Sequence, residues 1–126
     1  HQPKTSLRIF EKTYMRVINK VRKMGYTPLV MSLPPMDAQQ YFDFFTSSFN
    51  KIQRANVLKW LKSVNTIWAG HELYNDAVKR VASATDCVLI DCTTTLGDGK
   101  NYLCDDGIHP NLAGQSKIAS IILRNT

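Results

Sequence analysis

Cys87-Val88-Leu89-Ile90-Asp91 is an unbroken apolar run that ends in an acid. A strand wet on one face alternates apolar with polar residues, whereas a parallel strand covered on both faces reads as a continuous run. Upstream, Tyr26-Thr27-Pro28-Leu29-Val30-Met31-Ser32 reads as a second short buried strand, stopped by Pro34-Pro35. Before it, residues 6–24 carry Leu7, Phe10, Tyr14, Val17, Ile18, Val21 and Met24 at three- and four-residue steps, which predicts an amphipathic helix. Lys4, Arg8, Lys12, Arg16, Lys20 and Lys23 fall on its opposite face, and Gly25 stands where a left-handed cap ends a helix.

The stretch from Met36 to Val64 is less patterned. Tyr41, Phe42, Phe44, Phe45 and Phe49 cluster in polar surroundings that fit a short helix or an ordered loop, and Asn56 is placed to cap a short helix through Leu61. A longer helix is predicted from Asn65 to about Ala84, with Ile67, Trp68, Tyr74, Ala77, Val78 and Val81 inward and Gly70 weakening or bending it. After the second strand a loop is expected, with turn signals at Gly97-Asp98-Gly99, running to Asp105-Asp106-Gly107-Ile108-His109-Pro110. Asn111 then caps a final helix whose Ile118, Ala119, Ile121 and Ile122 face the core.

Strands alternating with helices predict an α/β fold: a three-layer α/β/α, flavodoxin-like arrangement around a parallel sheet, with residues 1–126 as a single domain. Two strands fall short of the roughly five or six of an average sheet, and each would keep an unpaired edge. The chain is therefore expected to be the C-terminal part of a larger α/β domain. It should be found with its N-terminal part or with a second copy of itself.

Composition narrows the field. The 126 residues, 44% hydrophobic and 21% charged, suffice for one domain with a real core and set aside disorder and coiled coil. Lys and Arg number 16 against 10 Asp and Glu, and the resulting +6 permits anionic partners without requiring one. Glu11 interrupts the basic stripe of the first helix, which reads as a solvated face, so no nucleic-acid partner is expected. No apolar stretch approaches the ~20 residues of a membrane span. The opening HQPKTSLRIFEK shows no signal peptide, and the residues name no compartment. Cys87, Cys92 and Cys104 lack C-x-x-C spacing and read as buried or incidental thiols, with Cys92–Cys104 the favoured pair were a bridge to form.

The stretch that bears chemistry is D-D-G-I-H-P-N, Asp105 to Asn111. An acid three residues before a histidine, with a glycine between, lets the chain curl until the carboxylate reaches the ring Nδ1–H. The other ring nitrogen is then free to take a proton from a nucleophile. The same residues also fit a surface turn that caps the last helix, with Asp106 and His109 merely solvated.

Context favours the first reading. G-Y-T-P-L-V-M-S-L-P-P from Gly25, Y-N-D-A-V-K-R-V-A from Tyr74, the strand V-L-I-D from Val88, D-G-I-H-P-N from Asp106 and L-A-G-Q-S-K-I-A from Leu112 follow one another. In that order the chain resembles the C-terminal portion of the SGNH (GDSL-type) hydrolases over nearly its whole length. The resemblance implies that Asp106 is the acid and His109 the base of a Ser-His-Asp triad. That family's Gly-Asp-Ser nucleophile block, and the Gly and Asn that donate to the oxyanion, have no counterpart here; Gly97-Asp98 is followed by Gly99. The serine is therefore expected before His1.

Other residues carry less. Ser116 follows Gly114-Gln115 without the second glycine of a nucleophile elbow, and Ser32 lacks flanking glycines. Cys104 reads as a structural thiol. Gly97-Asp98-Gly99-Lys100 fails the phosphate-loop pattern because Thr94 stands where the first glycine belongs. His71 has no second histidine four residues away to share a metal, and Asp105, Asp106 and His109 read as solvated rather than cation-binding. The expected function is thus part of a serine esterase acting on small-molecule, carbohydrate or lipid acyl esters, with no metal or organic cofactor. The alternative is a non-catalytic α/β binding or assembly module.

Overall fold

The computed structural model describes residues 5–126, so Lys4 of the basic stripe lies outside the described residues. In chain order the elements are α1 (Leu7–Lys23), β1 (Leu29–Met31), α2 (Ala38–Phe45), α3 (Lys51–Leu61), α4 (Asn65–Ala84), β2 (Val88–Ile90), α5 (Cys92–Leu96) and α6 (Leu112–Arg124). The fold is mixed α/β and rich in helix. β1 and β2 form a parallel two-stranded sheet, with Leu29 opposite Val88, Val30 opposite Leu89 and Met31 opposite Ile90. β1 is shorter than the Tyr26–Ser32 run. Pro28 has no N–H to give, and the Tyr26 amide turns back to the Val21 carbonyl of α1 at 3.2 Å.

Alternation along the strands divides the core. Val30 and Leu89 pack with Ile18 of α1 and with Val78, Val81 and Ala82 of α4. Met31 and Ile90 pack instead with Cys92 and Leu96 of α5 and Ile121 of α6. Successive strand residues point to opposite faces, so helices flank this small sheet on both sides.

The caps explain several boundaries. Gly25 takes the left-handed φ of +87° that ends α1. Asn56 lies inside α3 rather than at its start. Asn50 is the cap: its side chain accepts from the Gln53 amide (2.8 Å), and the Gln53 side chain accepts from the Asn50 amide (3.0 Å). α4 runs through Gly70 without interruption, and α5 occupies the start of the expected loop. Val17, Met24, Trp68 and Ala119, expected inward, are exposed. A sheet of two strands covers only a narrow strip of each helix, so residues at the margins of the apolar faces meet nothing. All three cysteines are free, Cys92 buried and Cys104 exposed, so the Cys92–Cys104 bridge does not form. Among the described residues no helix is long and apolar enough to cross a membrane.

Candidate active site

Both strands end on a buried polar knot. The Leu33 amide donates to Asn75 Oδ1 (2.8 Å), Asn75 Nδ2 donates to Thr93 Oγ1 (3.0 Å), and the Thr93 hydroxyl donates to the Leu33 carbonyl (2.6 Å). Ser32 donates to Asp91 Oδ1 (3.3 Å) and accepts from the Thr93 amide (3.0 Å), so its hydroxyl is committed to structure. Hydrogen bonds from Thr94, side chain and backbone, together with that from Ser32, hold the Asp91 carboxyl below its ordinary range.

Beyond α5 the chain doubles back on itself. Leu103 and Pro110 form a single antiparallel bridge. Around it the Asn111 amide donates to the Tyr102 carbonyl (2.8 Å) and the Cys104 amide to the His109 carbonyl (2.7 Å). The loop from Cys104 to His109 is thereby closed. Asn111 ties it to α6: its Oδ1 accepts from the Gly114 amide (2.9 Å), while its Nδ2 donates to the carbonyls of Asn101 (3.0 Å) and Leu103 (3.2 Å).

Inside that loop lie the two residues singled out by spacing. Asp106 Oδ1 accepts the amides of Ile108 and His109, both at 3.0 Å, and Asp106 Oδ2 lies 2.5 Å from His109 Nδ1. The bond to the His109 side chain, then those from the His109 and Ile108 amides, lower the Asp106 carboxyl to about 2. An ionised carboxylate can only accept, so Nδ1 carries a proton, and in the neutral ring it is Nε2 that presents the lone pair. The ring is 72% exposed and the Asp106 side chain 18%. Among the described residues Nε2 has no hydrogen-bond partner, and no serine hydroxyl sits beside it. Asp105 stays outside the pair; its carbonyl accepts from Gln40 Nε2 at 3.0 Å.

A buttress that the sequence reading did not find holds this loop. The Asp37 amide donates to the Gly107 carbonyl (2.8 Å), and Gln40 Nε2 also donates to the Cys104 carbonyl (3.2 Å). Asp37 caps α2 by accepting from the Gln40 amide (2.9 Å). An acid following Pro34-Pro35 and standing three residues before Gln40 is a helix-start signature that could have placed α2. Elsewhere, His71 Nδ1 is buried without a hydrogen bond, 3.7 Å from Glu72 Oε1. Among the described residues no three side chains of ligand type gather to hold a metal ion.

No protein-family model and no curated protein matches this chain. Among solved structures it is similar to an alpha/beta hydrolase enzyme from the metagenome of Lake Arreo, Spain, with a TM-score of 0.60 and 21% identity. The match covers 95% of this chain and 47% of that one, so the chain spans about half the length of the structure it resembles. The likeness is one of fold. What the two share is a mixed α/β fold with a parallel sheet flanked by helices.

Proposed function

We propose that this chain supplies the acid and base of a serine esterase of the SGNH type, acting on carboxylic acyl esters. The observation that supports the reading is the 2.5 Å contact of Asp106 Oδ2 with His109 Nδ1, which leaves Nε2 open to solvent. Nε2 takes the proton of a serine hydroxyl as its oxygen attacks the acyl carbonyl, then returns it to the departing alcohol. Asp106 fixes the tautomer and stabilises the cation that forms between the two steps.

In this reading the serine and the oxyanion donors come from an N-terminal portion of the same protein. The sheet continues past the free edge of β1 into a three-layer α/β/α domain. Support comes from an apolar groove of about 810 Å³ between α1 and that edge, lined by Phe10, Val17, Leu29 and Val30 among others. The solved neighbour is about twice as long, which is room enough for such a portion.

A non-catalytic module is the second reading, favoured by the lack of any hydroxyl beside Nε2 among the described residues. One experiment separates the two. The protein carrying this chain together with its upstream residues is assayed on p-nitrophenyl acetate. His109→Ala is expected to lower kcat on the order of 10³-fold or more. Equal rates for the two proteins would leave the module.

A further inference from the structure

We infer that the cleft between the starts of α2 and α4 seats a neutral sugar ring, making the preferred substrate a carbohydrate ester. This inference rests on the proposed esterase reading. The cleft is a shallow one, open to solvent, of about 550 Å³, and its lining includes Met36, Asp37, Gln39, Asn65, Trp68 and Asp98.

Its position follows from the buttress. Asp37 forms one wall and donates its amide to the Gly107 carbonyl at 2.8 Å. Gly107 lies two residues before His109, a span of at most about 7 Å of chain. The cleft's Asp37 wall therefore borders the loop that carries His109, and the inference has one substrate span the two.

Its chemistry selects the ligand. Trp68 is 46% exposed and offers an aromatic surface beside Met36. The lining also carries two amide side chains, Asn65 and Gln39; Gln39 Nε2 already donates to Asp43 Oδ1 (3.1 Å), which leaves its oxygen to accept. No Lys, Arg or His lines the cleft although the protein carries +6, so a carboxylate or phosphate ligand would find no countercharge. Nor is the cleft a plain cation trap. Asp37 Oδ1 already accepts the Gln40 amide at the positive end of α2, and Asp98 Oδ1 accepts the Lys100 amide at 2.9 Å. One oxygen of each is committed, and the other serves as an acceptor for hydroxyls. An acyl chain laid there would strip water from four polar side chains and return no hydrogen bond. A ring with an apolar C–H face and a rim of hydroxyls meets both halves of the lining, as small-molecule sites with few placed polar groups do.

The test reads the Trp68 indole N–H signal by NMR in the protein carrying this chain, the signal being assigned by its loss in Trp68→Phe. The probes are methyl β-glucopyranoside, cellotetraose, chitotetraose and xylotetraose, with tetramethylammonium and hexanoate as charged and apolar controls. A saturable shift of the Trp68 signal with at least one sugar is expected. Gln39→Ala, which removes an exposed side chain on α2, should weaken it at least threefold, and Trp68→Ala should abolish binding by calorimetry. His109→Ala should bind the sugar unchanged, so a failed esterase reading leaves this result standing. Saturation by tetramethylammonium or hexanoate alone, or by no probe, overturns the inference even if aryl acetates are hydrolysed.

Discussion

Gly107 and Asp37 meet backbone to backbone. The Asp37 amide reaches the Gly107 carbonyl at 2.8 Å, and a Cβ built on Gly107 would lie 2.8 Å from the Asp37 carbonyl oxygen and 2.9 Å from the Tyr41 nitrogen. Gly107 also holds φ at +75°, where side chains are strained. The loop that carries Asp106 and His109 is thus seated on the first turn of α2 through a residue with no room for a methyl group.

Gly107→Ala is therefore expected to destabilise the protein by roughly 2–3 kcal/mol, combining left-handed strain with the displacement of a backbone rather than of a flexible side chain. Urea unfolding measures it. An alanine variant of unchanged stability would show that α2 and the loop are not in firm contact.

Asp106→Asn and Asp105→Asn should separate sharply in the protein that carries this chain. The asparagine at position 106 can offer its NH₂ to His109 and favour the wrong ring tautomer, and kcat is expected to fall on the order of 10³–10⁴-fold. At position 105 only a carbonyl contact with Gln40 is made, and the change should stay within about threefold. Equal losses at both positions would contradict the assignment of the acid.

Asp106 also sets an acid limit. Its carboxyl is lowered from 3.8 to about 2, so the folded chain binds that proton more weakly than the unfolded one. The stabilisation is complete above about pH 4 and is lost as pH falls through about 2. A carboxyl-detected NMR titration should place the Asp106 midpoint near 2. A midpoint near 4 would mean that the bond to His109 is rarely formed.

The 126-residue chain by itself should show no His109-dependent ester turnover, since a base and its orienter activate only water weakly. It should also self-associate. Ile9 is 58% and Val17 54% exposed on the α1 side of the open β1 edge. Light scattering at rising concentration should give a mass above the monomer, reduced by Ile9→Lys with Val17→Lys. A cooperatively melting monomer would count against an unfinished sheet.

Much of this was written locally. The apolar run Val88 to Ile90 marks a strand, although only Ile90 is buried and Val88 is left half exposed, and α1 and α4 carry the step of their inner faces. The Asp106–His109 contact was legible for a related reason: the two residues lie three apart, so a short turn alone brings them together. What escaped depends on distant chain. Gln40 finds Cys104 and Asp105 across more than sixty residues, and nothing near either end marks the meeting. Val17 and Trp68 were misread because periodicity reports what a helix can bury, whereas exposure depends on whether a partner surface reaches that far. α3 began earlier than expected because the Asn50–Gln53 reciprocal cap outcompetes Asn56.

The bridge between Leu103 and Pro110 has a thermodynamic consequence. Because Cys104 and His109 close the loop on themselves, the imidazole and its carboxylate are brought together within one short segment, which α2 then seats. On the proposed esterase reading, productive encounters then reduce to the placement of one serine hydroxyl against one nitrogen. Loosening at the β1 edge would change how often that encounter occurs and leave the direction of the ring's lone pair as it was.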